Sequence, residues 1–356
     1  MENQAIQTHS TNHHKSWVWG TGLFIIVAII GLFWAKWNPY FHKIFVAASE
    51  HSIGSSIISG DQAEAPAPSI ASAWDYAITY FKSIWKAFIV GIVLASLVQV
   101  ALPANWLARV LGKTTFGSTV IAGLSALPGM MCTCCSAPIV VGLRKRQSSV
   151  SAALAFWLGN PALNPAVLVF MFFVLGWKFT LLRLIFGILI VFGLSYVAGR
   201  LFGKEGDVQS IIEKSEQYAT ANGNFFTRWF KSVGWLALVT VPAYLLSVFV
   251  LGGLRAWLFP AVGVEWGNSL LLMLLFAIVG TLFVIPTAAE IPIIQTLMSF
   301  GLGTGPAAVL SIVLPVISLP SALMVQRALS WRVLTFMGAG VAMLGFCAGL
   351  IGIVWL

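Results

Sequence analysis

The stretch Leu127-Pro128-Gly129-Met130-Met131-Cys132-Thr133-Cys134-Cys135-Ser136-Ala137-Pro138 interrupts an otherwise apolar chain. Two prolines and a glycine prevent a helix from running through it and leave backbone amides and carbonyls without partners. Lipid cannot satisfy such groups, so at membrane depth this backbone has to lie inside protein or beside a water-filled cavity. The membrane enters through what surrounds the break. Of 356 residues, 59% are hydrophobic and 9% charged, whereas soluble globular chains carry about 25% charge. Apolar runs of about 20 residues recur, each long enough at about 1.5 Å per residue to cross a hydrocarbon core of about 30 Å. The expected fold is an all-α polytopic membrane protein. No run alternates polar and apolar residues over about ten positions, which excludes an outer-membrane barrel.

Apolar runs and breakers predict helices near 17–35, 76–101, 115–131, 149–176, 179–198, 229–254, 269–285, 304–325 and 333–355, with short apolar pieces at 136–143 and 290–300. An offset of 154 aligns Pro138-Ile139 with Pro292-Ile293, Leu143 with Leu297, Pro161 with Pro315 and Trp177 with Trp331. Tyr80-Phe81-Lys82-Ser83 likewise falls over Trp229-Phe230-Lys231-Ser232, each opening a long apolar run. Two copies of one unit are expected. The resulting layout is a cytoplasmic tail at 1–16, an extra transmembrane helix at 17–35, an external loop at 36–75, a first repeat at 76–200, a cytoplasmic linker at 201–228 and a second repeat at 229–356. The first apolar run reads as a retained helix and not a cleaved leader, because Lys36-Trp37-Asn38-Pro39-Tyr40 offers no small-residue cleavage site.

The net charge of +9 informs topology and not nucleic-acid binding, because the basic residues flank apolar runs. Arg109, Lys113, Arg144, Lys145, Arg146, Arg200, Lys204, Arg228, Lys231, Arg327 and Arg332 all become cytoplasmic if 115–143 enters and leaves by one face. The positions matching Arg144-Lys145-Arg146 in the second copy are Met298-Ser299-Phe300, without charge. The copies then insert in opposite senses, with re-entrant or broken helices meeting near the midplane, as in many secondary transporters.

Three thiols at the first break, Cys132, Cys134 and Cys135, are soft donors suited to Cu(I), Zn(II), Cd(II) or trivalent arsenic, and they are the candidate metal or metalloid ligands. Small cysteines packing a helix interface, with methionine as filler, is the structural alternative. Three of the four cysteines crowd here, so a secreted disulfide framework is not expected. The matching point in the second copy is Ile285-Pro286-Thr287-Ala288-Ala289-Glu290-Ile291-Pro292, where Glu290 aligns with Ser136. A carboxylate at membrane depth marks a functional site by default, here a coupling proton carrier; structural bonding to helix-terminal amides is the alternative. Gln295 lines the same cavity or bonds a neighbouring helix. Asn160 and Asn164, in Gly159-Asn160-Pro161-Ala162-Leu163-Asn164-Pro165, and Ser318, in the matching segment 314–320, are polar groups at proline-broken turns, a pattern found at transport sites and also at simple capped kinks. Arg144-Lys145-Arg146 reads as a topogenic cluster, and His13-His14 as part of a solvated tail. No phosphate-binding Gly-x-x-x-x-Gly-Lys-[Ser/Thr] loop, His-Glu-x-x-His pair or Gly-x-Ser-x-Gly turn occurs, so neither a self-contained ATP-driven pump nor a hydrolase is expected.

The break at 127–138, followed by Ala155-Phe156-Trp157-Leu158 and the Asn160–Pro165 segment, closely resembles the YraQ-type permeases of the ArsP-like bacterial permease family, and Phe283-Val284-Ile285-Pro286-Thr287-Ala288-Ala289-Glu290-Ile291-Pro292 fits the same group. The resemblance implies a multi-pass permease of the bacterial inner membrane, not an enzyme, and without a cofactor. One branch of that family is associated with export of trivalent organoarsenicals held by thiols, which here fall on Cys132, Cys134 and Cys135. The expected function is secondary export of a soft, thiol-reactive solute with proton coupling through Glu290. Uptake of a small sulfur-containing anion and a membrane thiol/disulfide redox role through Cys134 and Cys135 are the alternatives. Expected partners are the small solute, the lipid bilayer and, as an option, further copies of the chain.

Overall fold

A computed structural model describes residues 19–62, 64–102, 104–203, 225–259 and 267–356, and among them the only regular elements are helices. The expected tail, most of the linker and His13-His14 lie outside the described residues. Among the described residues, seven helices are long and apolar enough to cross a membrane. The first, α1 (Trp19–Glu50), is succeeded by α2 (Ile70–Val100), a short α3 (Ala104–Leu111), α4 (Phe116–Ala126), α5 (Thr133–Lys145), α6 (Val150–Ala162), α7 (Pro165–Val174) and α8 (Trp177–Phe202). The second half holds α9 (Phe225–Leu258), α10 (Leu270–Leu282), α11 (Glu290–Ser299), α12 (Thr304–Val316), α13 (Leu319–Val325) and α14 (Trp331–Trp355).

The expected helix at 17–35, with a loop from 36, is corrected by the structure. Helix α1 continues to Glu50 through a π turn at Phe33–Trp37, just ahead of Pro39. A π turn absorbs the hydrogen bond that a proline cannot donate. Lys36 therefore does not mark a membrane boundary; it is buried among the helices.

The two short pieces left over by the hydrophobic reading are α5 and α11, each following a non-helical break. Sequence position explains why each helix starts where it does. Ser69, Thr115, Ser149 and Ser330 cap their helices by accepting from the amide three residues on, as N-cap hydroxyls do. Asn164 accepts from the amides of Ala166 and Val167 at the start of α7, and at the equivalent start of α13 the Ser318 amide donates to Ser321 Oγ. Helix limits repeat with the offset read from sequence: 150 + 154 = 304 and 162 + 154 = 316 carry α6 onto α12, and 165 + 154 = 319 and 177 + 154 = 331 carry the starts of α7 and α8 onto those of α13 and α14.

Packing follows the same correspondence. Helix α4 packs on α6 as α10 does on α12; α5 packs on α13 and α11 on α7, so each half-helix after a break meets the other half's terminal piece. The equivalent long helices α2 and α9 lie against each other. At the α2–α5 contact Gly91 is required: a Cβ there would collide with the carbonyl oxygen of Cys135. The second break and the Met131–Cys132 end of the first are consequently walled by buried apolar residues from both halves, while Pro128 of the first break is exposed.

Candidate functional site

At the first break the chain turns through Met130, whose φ of 47° is left-handed, and re-enters a helix at Cys132, the N-cap of α5. A side chain at an N-cap lies beside the residue three positions on, as in a capping box. Cys132 Sγ accordingly sits 3.0 Å from Cys135 Sγ. Cys134, about 100° round the helix from Cys135, has its Sγ 3.5 Å from Ser318 Oγ at the start of α13. All three thiols are buried. The expected three-thiol metal set is therefore not what forms: among the described residues no three Cys, His, Asp or Glu side chains converge in a way that holds a metal ion. Cys132 stands between the other two thiols, with side-chain interactions to both Cys134 and Cys135 and its short sulfur contact to Cys135.

The second break runs from Phe283 to Ala289, and its freed carbonyls are answered by tyrosines of α2. Tyr76 Oη donates to the Val284 carbonyl at 2.6 Å and Tyr80 Oη to that of Ile285 at 3.3 Å, while Tyr244 Oη of α9 donates to Tyr80 Oη at 2.6 Å. Lys36 Nζ reaches in from α1 and donates to Thr287 Oγ1 at 3.0 Å and Tyr40 Oη at 2.9 Å. Ala288 holds φ of 73°, a conformation that costs an L-residue about 1 kcal/mol. Left-handed non-glycine residues thus occur at both breaks, where such strain is often stored.

Glu290 opens α11 and is 1% exposed. Its Oε1 receives Arg183 of α8 at 2.7 Å, an ion pair buried on both sides. Arg183 also donates to the carbonyls of Pro161 (2.8 Å), Ala162 (3.3 Å) and Ser311 (3.3 Å). Prolines explain these acceptors. Residues 165 and 315 are prolines and donate no N–H, so the carbonyls four positions earlier, at Pro161 and Ser311, lose their helical partners. The Ala166 amide, which would otherwise close onto Ala162, is taken by the Asn164 cap. One guanidinium thus supplies three acceptors left by breaks in both halves.

Between the breaks is a closed gap of about 10 Å³ lined by Cys132, Thr287 and Glu290 together with Pro161 and Pro315. Behind Thr287, on the other side of the second break, opens a vestibule of about 450 Å³ whose wall also includes Lys36, Pro286 and Ala288. Glu290 Oε2, Asn160 Oδ1 and Asn164 Nδ2 are among the buried polar atoms without a hydrogen-bond partner.

Of the residues singled out from sequence, the structure brings Cys132 and Glu290 to one gap and keeps Cys135 beside Cys132. Cys134 faces Ser318 instead. Asn160 donates from Nδ2 to the Phe156 carbonyl, with Oδ1 aimed at Gly129 in the first break, and Asn164 is the cap of α7. Gln295 is not part of this cluster; its Nε2 donates to the carbonyl of His51, in the loop after α1. Lys36, Arg183 and the trio Tyr76, Tyr80 and Tyr244 were not anticipated. Arg183 had one available signal: a lone cation inside an apolar run, which membrane energetics makes as suspect as a lone acid.

Comparison with known proteins agrees with this architecture. The family model described as "Predicted permease", ArsP_1, matches residues 125–353, the span from the first break to the last helix. The UPF0718 protein YraQ of Escherichia coli (strain K12) is 46% identical over 331 residues, covering 93% of this chain and 94% of the relative. The UPF0718 protein MJ0584 of Methanocaldococcus jannaschii is 21% identical over 333 residues, covering 75% of this chain and 91% of the relative. No solved structure matches. The chain is a multi-pass membrane protein and belongs to the predicted-permease family that these UPF0718 relatives share.

Proposed function

We propose that the protein is a secondary permease of the bacterial inner membrane, built from two oppositely inserted repeats, which exports a soft, thiol-reactive solute such as a trivalent organoarsenical. The observation that carries this reading is the small gap where Cys132, with Cys135 beside it, meets Thr287 and Glu290 of the other half. A gap of about 10 Å³ holds at most one water, so this is a shut state; loading a solute requires the breaks to part. Cys132 and Cys135 bind the solute as a chelating pair: each S–As bond forms as one S–H and one As–OH bond break, and the thiol proton leaves with the hydroxide as water. Glu290 presents Oε2 to the same gap while Arg183 retains Oε1, which leaves one carboxylate oxygen available to a coupling proton. Arg183 fixes that carboxylate in place and keeps the surrounding turns closed.

The test is uptake of a trivalent organoarsenical into everted membrane vesicles. Cys132→Ser and Cys135→Ser abolish transport, whereas Cys134→Ser, whose thiol is paired with Ser318, retains most of it. Equal loss in all three variants, or none in any, refutes the dithiol site. Glu290→Gln flattens the pH dependence of transport in the same vesicles, and an unchanged profile removes Glu290 from proton coupling.

A further inference from the structure

The vestibule behind Thr287 is chemically unlike the rest of the bundle. Its wall carries Lys36 and Lys43 from α1 and Lys82 and Lys86 from α2, and no aspartate or glutamate. Among the described residues none of these four ammonium groups has a carboxylate within ion-pair distance; the ion pair found is Arg183–Glu290. Lys86 lies over the rings of Trp34 and Trp85, with Nζ 5.3 and 5.7 Å from their centroids, and Lys36 is held by Tyr40 and Thr287. All four lysines belong to membrane-length helices. A cation there is tolerated only when it faces a water-filled cavity or a partner, and four unpaired cations around one cavity concentrate a positive potential that draws anions in. A topogenic role does not account for them, because Lys36 lies inside the protein and Lys82 and Lys86 lie well within α2.

We propose that this lysine-lined vestibule is a binding site for a small multivalent oxyanion, with carboxylate, sulfate or phosphate groups. Ammonium groups recognise oxyanions as point charges, without demanding one geometry. A volume of about 450 Å³ suits an organic anion, within the range of about 300–1,000 Å³ usual for small-molecule sites. Lys36 touches both compartments: its Nζ closes on Thr287, a residue of the inner gap as well as of the vestibule. An anion captured there competes with Thr287 for this ammonium and so acts on the second break. Binding itself stands apart from the thiol reading; only its purpose rests on the permease function proposed above.

The experiment is calorimetric titration of the purified full-length protein in uncharged detergent with sulfate, phosphate and citrate, at constant ionic strength maintained with chloride. Saturable binding of at least one of these is expected. Lys43→Gln combined with Lys82→Gln weakens it by about tenfold per lysine, while Lys43→Arg with Lys82→Arg retains it. The rank of the three anions distinguishes carboxylate from sulfate and phosphate. The Cys132→Ser/Cys135→Ser protein binds the anion as wild type does, even where solute transport is lost, which separates failure of this site from failure of the dithiol site. No saturable binding of any of the three, or binding unchanged in the double Gln protein, overturns the proposal.

Discussion

Replacing Arg183 by methionine should be the most damaging single change in the core, and its cost follows from its contacts. The substitution leaves the Glu290 carboxylate buried without a counter-ion, and breaking a buried pair from one side costs about 3–5 kcal/mol. The carbonyls of Pro161, Ala162 and Ser311 lose their donor as well, adding about 1 kcal/mol each. The single variant should therefore lose on the order of 6 kcal/mol. Glu290→Gln removes only the negative partner, while Arg183 keeps its three carbonyls, so it should lose about half as much. In the double variant no charge is stranded, and the remaining deficit is the three carbonyls, about 3 kcal/mol. The cycle then closes with a coupling of at least about 3 kcal/mol, far beyond the roughly 0.5 kcal/mol within which independent sites add. Unfolding of the detergent-solubilised full chain by a rising fraction of denaturing detergent, followed by tryptophan fluorescence, measures all four corners. Additive losses, or an Arg183→Met protein as stable as wild type, would refute the assignment of this side chain as the clamp on both sets of broken helices.

Other outcomes follow from the same contacts. Tyr80→Phe removes the donor to the Ile285 carbonyl and the acceptor for Tyr244, and should cost about 1–3 kcal/mol in the same unfolding assay; Phe81→Leu at the neighbouring position serves as the control for packing. Ala288→Gly relaxes a residue held at φ of 73° and should stabilise the shut state by about 1 kcal/mol, read as a higher thermal midpoint. Asn164→Ala deletes the cap of α7 and should cost about 1 kcal/mol. Opposite insertion of the halves predicts that a cysteine introduced at Gln147 is labelled by an impermeant thiol reagent from one face only, and one at Gly301 from the other; labelling of both from the same face rules the inverted arrangement out.

Element positions were largely legible because lipid imposes long apolar runs, and because proline positions repeat at a fixed offset. Helix α1 was misjudged at its far end: Lys36 and Pro39 together look like an interface, yet the helix runs on through a π turn and Lys36 is buried. The meeting of the two breaks was also legible, since unsatisfied backbone at membrane depth has few places to go. The arrangement of the thiols was not. It depends on Cys132 serving as the cap, a backbone detail that residue spacing leaves open. Arg183 escaped because it lies near Lys178 at a helix start and so resembles an ordinary topogenic cation; its role emerges only when the acceptors orphaned by Pro165 and Pro315 are located. Nothing in the spacing of Tyr76 and Tyr80 points to the carbonyls of Val284 and Ile285 that they serve.

The ion pair at Glu290 has no twin. Applying the offset, 183 + 154 = 337 and 290 − 154 = 136, so the counterparts of Arg183 and Glu290 are Met337 and Ser136, both fully buried. One flank of the duplicated core is therefore latched by charge, and the other is held by a thioether and a hydroxyl that need no latch. The two flanks are not mechanically alike: parting the first demands that a guanidinium and a carboxylate separate, whereas the matching positions of the second hold no charge. On the permease reading proposed above, the charged flank is the one whose release a rocking cycle has to wait for.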